Sequence, residues 1–300
     1  MSAPWGIVIT LDSATPLLHF KVVDEADDYA VIDKPPFLLT HPTKPNGARN
    51  LWKELRDLFA FEIAGGGQVS IVNRLDRETS GLVLVAKTSA AARRFGLLMQ
   101  HQRVKKEYLA ITLGWPEWDR YIVDAPLDRK AKHQESAIWL KQMIHPGGAP
   151  AQTEFRVERR FTKRSVDPSP AVSRLSVGAL PSRHSGPEDE GESQKKIHEN
   201  NSARAEEKFS LIRAIPFTGR THQIRVHLAS VGHPIVGDKI YGPDEQLYLR
   251  FIETGWTGEL EQRLLMPRHA LHSAKLAIKG EREWTSPLPA DLRNFFSDAL

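Results

Sequence analysis

Three hundred residues, 40% hydrophobic and 26% charged, are enough for one large domain or two ordinary ones with a core that needs no staples. The absence of cysteine excludes disulfides, thiolate nucleophiles and Cys-based zinc sites, and no window reaches the roughly 18 apolar residues of a membrane span. The formal charge of +4 is mild but uneven. Residues 163–207 hold seven Lys/Arg and eight Asp/Glu, so the remainder carries +5, and Arg93, Arg94, Arg103, Lys105 and Lys106 crowd fourteen residues. Such a cluster suits a polyanion. Residues 1–16 lack the basic start and apolar run of a secretory leader, so a cytoplasmic protein with no membrane partner is expected.

In chain order, 18–23 and 29–32 read as short strands, and Lys34-Pro35-Pro36 then enforces extended backbone. A helix is expected over about 51–60, capped by Asn50, with Leu51, Leu55 and Leu58 as its apolar stripe. Gly65-Gly66-Gly67 is a flexible turn without the Lys-Ser/Thr of a phosphate-binding loop. The run 82–86 is apolar throughout and too short for a helix, as in a strand buried on both faces. Ser89 caps a helix to about 100 that turns Ala91, Phe95 and Leu98 inward and Arg93 and Arg94 outward. Residues 107–113 alternate as a strand, with Leu109 and Ile111 on one face and Tyr108 and Ala110 on the other. Strands near 136–144 and 151–161 follow. The stretch 163–207, rich in Pro, Ser and charge, offers no core and is expected to be a mobile insert. Strand signals resume at 209–214. A helix then spans about 222–231, with Ile224, Leu228 and Val231 buried and Gly232 in the left-handed C-cap. Short mixed strands and scattered helices define one α+β domain over 1–300.

Among titratable groups Asp76 stands out. It lies between Arg74 and Arg77, directly before the buried strand, where a neighbouring cation keeps a carboxylate ionised and able to act as nucleophile or base. From spacing alone, a surface loop laced with ion pairs is the commoner reading. Ser80 fails as a hydrolase nucleophile because Glu78 occupies the place of the required glycine. His222 and His227 are five apart, and His269 and His272 form no recognised ligand set, so no metal is expected.

Five stretches taken together resemble the RluA-type pseudouridine synthases. Residues 73–81 (NRLDRETSG) look like the Arg-Leu-Asp motif of that family, with the likeness running on to Lys87. Residues 31–42 (VIDKPPFLLTHP) resemble its first motif, and 105–110 (KKEYLA) its tyrosine strand. Residues 218–242 (TGRTHQIRVHLASVGHPIVGDKIYG) are similar to its third motif, and 268–276 (RHALHSAKL) to its C-terminal signature. The resemblance implies a mixed, mostly antiparallel central sheet flanked by helices, and isomerisation of specific uridines in structured RNA, rRNA or tRNA, with no cofactor. Asp76 would be the nucleophile or base, Tyr108 would pack on the uracil, and Arg225 would pair with Asp76. Arg74 would fill the vacated base stack. Arg77, Thr79, Arg93, Arg94, Lys105, Lys106, Arg220 and His222 complete the expected RNA contacts, the basic helix holding phosphates without reading sequence.

Two departures stand out. Asn73 replaces a common His, a change expected to be tolerated as backbone support, and the insert is longer than usual. The additional N-terminal RNA-binding domain of many relatives is not expected here, and a monomer is. An inactive RNA-binding relative would need a lesion at Asp76, Tyr108 or Arg225. A glycosidase would need Asp76 and Glu78 to converge, which alternate strand residues do not do.

Overall fold

A computed structural model of the chain describes residues 19–42, 49–164 and 206–297. In order, the elements are β1 (Lys21–Glu25), β2 (Tyr29–Lys34), α1 (Leu51–Leu58), α2 (Ala60–Ala64), β3 (Ser70–Ile71), β4 (Ser80–Ala86), α3 (Ser89–Gln100), β5 (Val104–Leu113) and β6 (Arg120–Asp124). There follow β7 (Leu127–Arg129), β8 (Gln142–Ile144), β9 (Gln152–Arg164), β10 (Glu206–Pro216), α4 (Gln223–Ser230), α5 (Gln246–Thr254), α6 (Gly258–Leu264), β11 (Leu271–Ile278), β12 (Arg282–Thr285) and α7 (Ala290–Ser297).

One ten-stranded sheet organises these, in the order β1-β2-β4-β11-β5-β10-β9-β6, with β3 added to β4 and β12 to β11. Every pairing is antiparallel except β4 with β11, where Ser80 faces His272 and Gly81 faces Ser273. The fold is therefore α+β with the mixed, mostly antiparallel sheet expected.

All seven residues of β4 are buried, because both faces of the sheet are covered. Its side chains divide with the period of two: Val83 and Val85 join a layer with Leu51 and Leu55 of α1, Ile224 and Leu228 of α4, and Leu292 and Phe295 of α7. Leu82, Leu84 and Ala86 join the opposite layer with Ala91 and Phe95 of α3 and Trp284 of β12.

Several boundaries differ from expectation. The first helix stops at Leu58 and restarts as α2, but Asn50 caps it as foreseen, accepting the Lys53 N–H at 3.0 Å. Thr88, not Ser89, caps α3, accepting the Ala91 N–H at 3.1 Å. β5 runs in unbroken register against β10 from Tyr108 to Leu113, with Tyr108, Ala110 and Ile111 buried and Leu109 half-buried. Just beyond the start of β11, the segment with Val236 covers that edge of β5, its N–H donating to the Ile111 carbonyl at 2.9 Å. Of the expected strand near 136–144, only Gln142–Ile144 pairs, with β7. The insert expected at 163–207 falls largely on 165–205, outside the described residues. Its outermost residues are ladder: Arg164 pairs with Glu206 and Lys163 with Glu207.

Candidate active site

The residues before β4 carry Asp76, and their backbone is clamped from several directions. Thr40 Oγ1 donates to the Leu75 carbonyl at 2.6 Å and accepts the Leu75 N–H at 3.3 Å. Lys34 Nζ donates to the Arg77 carbonyl at 3.3 Å and Arg268 Nη1 to the Glu78 carbonyl at 3.2 Å. Asn73 ties the loop to the strand itself, donating to the Leu82 carbonyl at 3.1 Å and accepting the Leu84 N–H at 2.7 Å. Backbone support is thus what Asn73 provides. The Thr79 N–H closes the turn on the Asp76 carbonyl at 3.2 Å.

This brings Asp76 to the floor of a cavity of about 320 Å³. Tyr108 of β5, Arg225 of α4, and His222, just ahead of α4, share that cavity with Arg74, Thr79, Lys106 and Arg220. Among the described residues that line it, Asp76 is the one acidic side chain. Arg225 Nη1 donates to Asp76 Oδ2 at 2.9 Å, the tertiary pair expected from the sequence. The same guanidinium grips a second carboxylate in a fork: Nε reaches Asp238 Oδ2 at 2.6 Å and Nη2 reaches Oδ1 at 2.8 Å. Asp238 has no exposed side-chain surface, and it also accepts the Ile240 and Tyr241 N–H groups, each at 3.0 Å.

These contacts set the charges. Burial alone would raise the Asp76 carboxyl, but the His222 ring and the Arg225 guanidinium outweigh it and hold it at about 2. Asp238 is depressed still further, again against burial, by Arg225. Tyr108 is pushed up to about 12, first by burial and then by the Asp76 charge, so at neutral pH it is a phenol. Burial lowers His222 to about 4, with Arg225 acting in the same direction, so its ring is neutral at the same pH. Lys34, without exposed surface, falls to about 7 through burial, against the pull of Asp76.

The remaining expected contacts are spread out. Arg74 is exposed on the cavity rim, Arg220 Nε donates to the Pro150 carbonyl at 3.0 Å, and Lys106 Nζ to the Thr218 carbonyl at 3.4 Å. Thr79 lines the cavity, but its hydroxyl is engaged with His269 Nε2 at 2.7 Å. Arg77 turns aside to the Phe37 carbonyl at 3.3 Å. Arg93 and Arg94 are exposed on α3, away from the cavity that Met99 of that helix lines, and Arg94 pairs with Glu281. Lys105 pairs with Glu107 at 2.7 Å. Glu78 also leaves the site: it meets Lys239 Nζ at 2.8 Å and accepts the His269 N–H at 3.1 Å. A two-carboxylate arrangement with Asp76 therefore does not form.

Sequence reasoning missed Asp238, Tyr241, Thr40 and Lys34. The first two lie in the GDKIYG end of the third motif, and membership of that stretch was the available signal.

A lone ionised aspartate, fixed by an arginine beside a buried tyrosine in a cation-lined cavity, defines a site for an anionic ligand and carboxylate chemistry. The family model described as RNA pseudouridylate synthase matches residues 28–230. The ribosomal large subunit pseudouridine synthase D of Nitrosomonas europaea is 31% identical over 92% of this chain and 64% of its own length. The protein of the same name from Pasteurella multocida is 30% identical over 95% of this chain and 74% of its own. Among solved structures, human RNA pseudouridylate synthase domain containing 4 aligns over 92% of each chain, with a TM-score of 0.59 and 20% identity, a likeness of fold. The chain belongs to the RNA pseudouridylate synthase family, isomerases of the RluA type.

Proposed function

We propose that this chain converts uridine to pseudouridine at structured sites in large-subunit ribosomal RNA, with Asp76 as the nucleophile. One observation carries the reading: a single carboxylate, charged at neutral pH and pinned by Arg225 at 2.9 Å, shares a cavity of about 320 Å³ with Tyr108. That volume lies at the low end of ligand clefts and suits one extruded nucleotide rather than a duplex. The names of the relatives support ribosomal RNA as the substrate. The protein works as a monomer in the cytoplasm.

The chemistry follows from the charges. A carboxylate held at about 2 is a weak base, yet it is fully ionised, which favours addition to C1′ over proton abstraction. As the Asp76–C1′ bond forms, the C1′–N1 bond breaks and its electron pair leaves with the uracil. The uracil turns, C5 bonds to C1′ and Asp76 departs with its original electron pair. The proton on C5 is then lost, while N1 gains one. Nothing is oxidised or consumed, so the reaction needs no cofactor. Tyr108, a phenol, packs on the base and relays the C5 proton through its oxygen. Arg74 fills the space left in the RNA stack, and Lys106 and Arg220 meet phosphates.

Pseudouridine mapping of an unmodified large-subunit rRNA transcript and a tRNA pool, each treated with the protein, is the test. Wild type should modify discrete rRNA positions, and Asp76→Asn, nearly isosteric, should bind the same RNA and form no product. Product only in tRNA would overturn the substrate assignment. Near-wild-type single-turnover rates for the Asn variant would remove Asp76 from the chemistry.

A further inference from the structure

His222 sits in a backbone conformation that ordinary side chains avoid, with φ 57° and ψ 15°. Helix initiation does not need its side chain: its carbonyl accepts the Val226 N–H at 2.9 Å, and the ring makes no capping hydrogen bond. The ring turns into the cavity instead, with 8% of the side chain exposed.

Counting protons fixes which ring nitrogen is the donor. Tyr241 Oη accepts the Gln142 N–H at 2.8 Å and lies 2.8 Å from His222 Nδ1. A phenol has one hydrogen, and for this buried hydroxyl the neutral Nδ1 is the acceptor at hand. Tyr241 therefore donates to Nδ1, and the ring proton resides on Nε2. Tyr241 also meets the ring edge-on, with centroids 5.5 Å apart, which holds its plane. The Nε2–H makes no hydrogen bond among the described residues. It stands 3.8 Å from Asp76 Oδ2, an oxygen that already accepts from Arg225. A buried donor left open beside the reacting carboxylate is a place for a ligand oxygen.

We propose that His222, held by Tyr241 as the Nε2–H tautomer, donates to the 2′-hydroxyl oxygen of the target ribose and thereby selects RNA over DNA at the reacting nucleotide. This rests on the reading above, which brings C1′ against an Asp76 oxygen. A donor 3.8 Å from that oxygen then reaches a substituent on the adjoining C2′. The uracil oxygens are poorer partners for a rigid donor, because the base must turn between bond breaking and bond making while the ribose stays tethered. The 2′-hydroxyl is also the group by which a protein distinguishes RNA from DNA. His222 would touch the substrate, whereas Tyr241 is a positioning residue.

A double cycle tests the contact, using a stem-loop from a position that the wild-type protein modifies, carrying uridine or 2′-deoxyuridine at the target. In single-turnover assays the penalty for the deoxy substitution should shrink about tenfold in His222→Ala, since the lost partner is the same in both. His222→Gln, which keeps a donor, should retain part of the penalty. Tyr241→Phe should lower it while adding nothing in the His222→Ala background. Nitrogen-15 spectra of histidine-labelled wild-type protein should show His222 Nδ1 unprotonated and Nε2 protonated, and a mixture in Tyr241→Phe. An equal deoxy penalty in wild type and His222→Ala overturns the proposal. So does an Nδ1–H tautomer in the wild-type protein, a measurement that needs no variant to fold. Failure of the underlying reading looks different: wild type would make no pseudouridine on the all-ribose stem-loop, and the inference falls with it.

Discussion

Arg225 answers two carboxylates at once, which makes it the residue whose loss should be felt most widely. Its guanidinium has only 6% of its side chain exposed and joins Asp76 to the fully buried Asp238. Arg225→Met leaves Asp238 without its cation, and stranding one partner of a buried pair costs about 3–5 kcal/mol, so the melting temperature should fall at neutral pH. Asp76 should titrate higher, visible by carbon-13 NMR of the labelled carboxyl; an unchanged value would mean that the pair does not govern its charge. In the wild type the folded Asp76 carboxyl lies at about 2, below the unfolded value. Its contribution to stability is therefore present above the unfolded value, near 4, and is lost as pH falls toward about 2. Arg225→Lys keeps one charge but cannot span both partners, so it should retain more activity than Met and less than wild type. The meeting of Asp76, Tyr108 and Arg225 in one cavity was legible through the family resemblance of the stretches that carry them. Asp238 was not, since nothing in its spacing says that the loop after α4 returns to the same guanidinium.

At the scale of elements, the site depends on how closely β4 and β11 approach. Gly81 has φ +107°, and a Cβ built there would lie 2.2 Å from the Ser273 carbonyl oxygen and 2.7 Å from its nitrogen. Neither is a flexible side-chain tip, so the strands themselves must separate. Gly81→Ala should destabilise the protein by at least about 2 kcal/mol in urea unfolding. It should also depress turnover, because Ser273 pairs with Tyr108 across β11 and β5. A folded, fully active Ala variant would show that this contact does not set the site's geometry. The buried strand β4 and the helices α1, α3 and α4 were plain in the sequence, since one covered face or two leave different periodicities, whereas α5, α6 and α7 were not foreseen. β6 was not foreseen: at the sheet edge its Tyr121 and Ile122 are 45% and 46% exposed, so the apolar alternation that marks a strand is missing. Thr88 displaced Ser89 as the α3 cap because both hydroxyls offer the same signal and only the chain direction at the end of β4 separates them.

For the whole molecule, the insert and the charge distribution are the two features read from composition. The described ends of β9 and β10 are in register up to Arg164 opposite Glu206, so a tight hairpin can join them directly. Replacing 165–205 with Asn-Gly should leave the melting temperature within about 2 °C, since loop length itself costs little. A large fall would mean that the removed residues hold the domain together, and lost affinity with intact stability would assign them to RNA. The basic cluster at 93–106 was visible as charge, but its pairing was not: Glu281, in the turn before β12, takes Arg94, and Glu107, two residues along β5, takes Lys105.

Those pairings allow a last, quantitative expectation. Binding to RNA releases about 0.7 counterions per neutralised single-strand phosphate, so the logarithm of affinity falls linearly with the logarithm of salt. Lys106 and Arg220 line the cavity, and neither is in an ion pair among the described residues. Lys106→Gln and Arg220→Gln should each reduce the slope by about 0.7 in filter binding between about 50 and about 200 mM salt. Lys105→Gln and Arg94→Gln remove cations already matched by a carboxylate and should change it by less. Should the paired residues prove the larger contributors, the RNA would run along α3 and outside the cavity rim, and the phosphate path proposed here would have to move to that face.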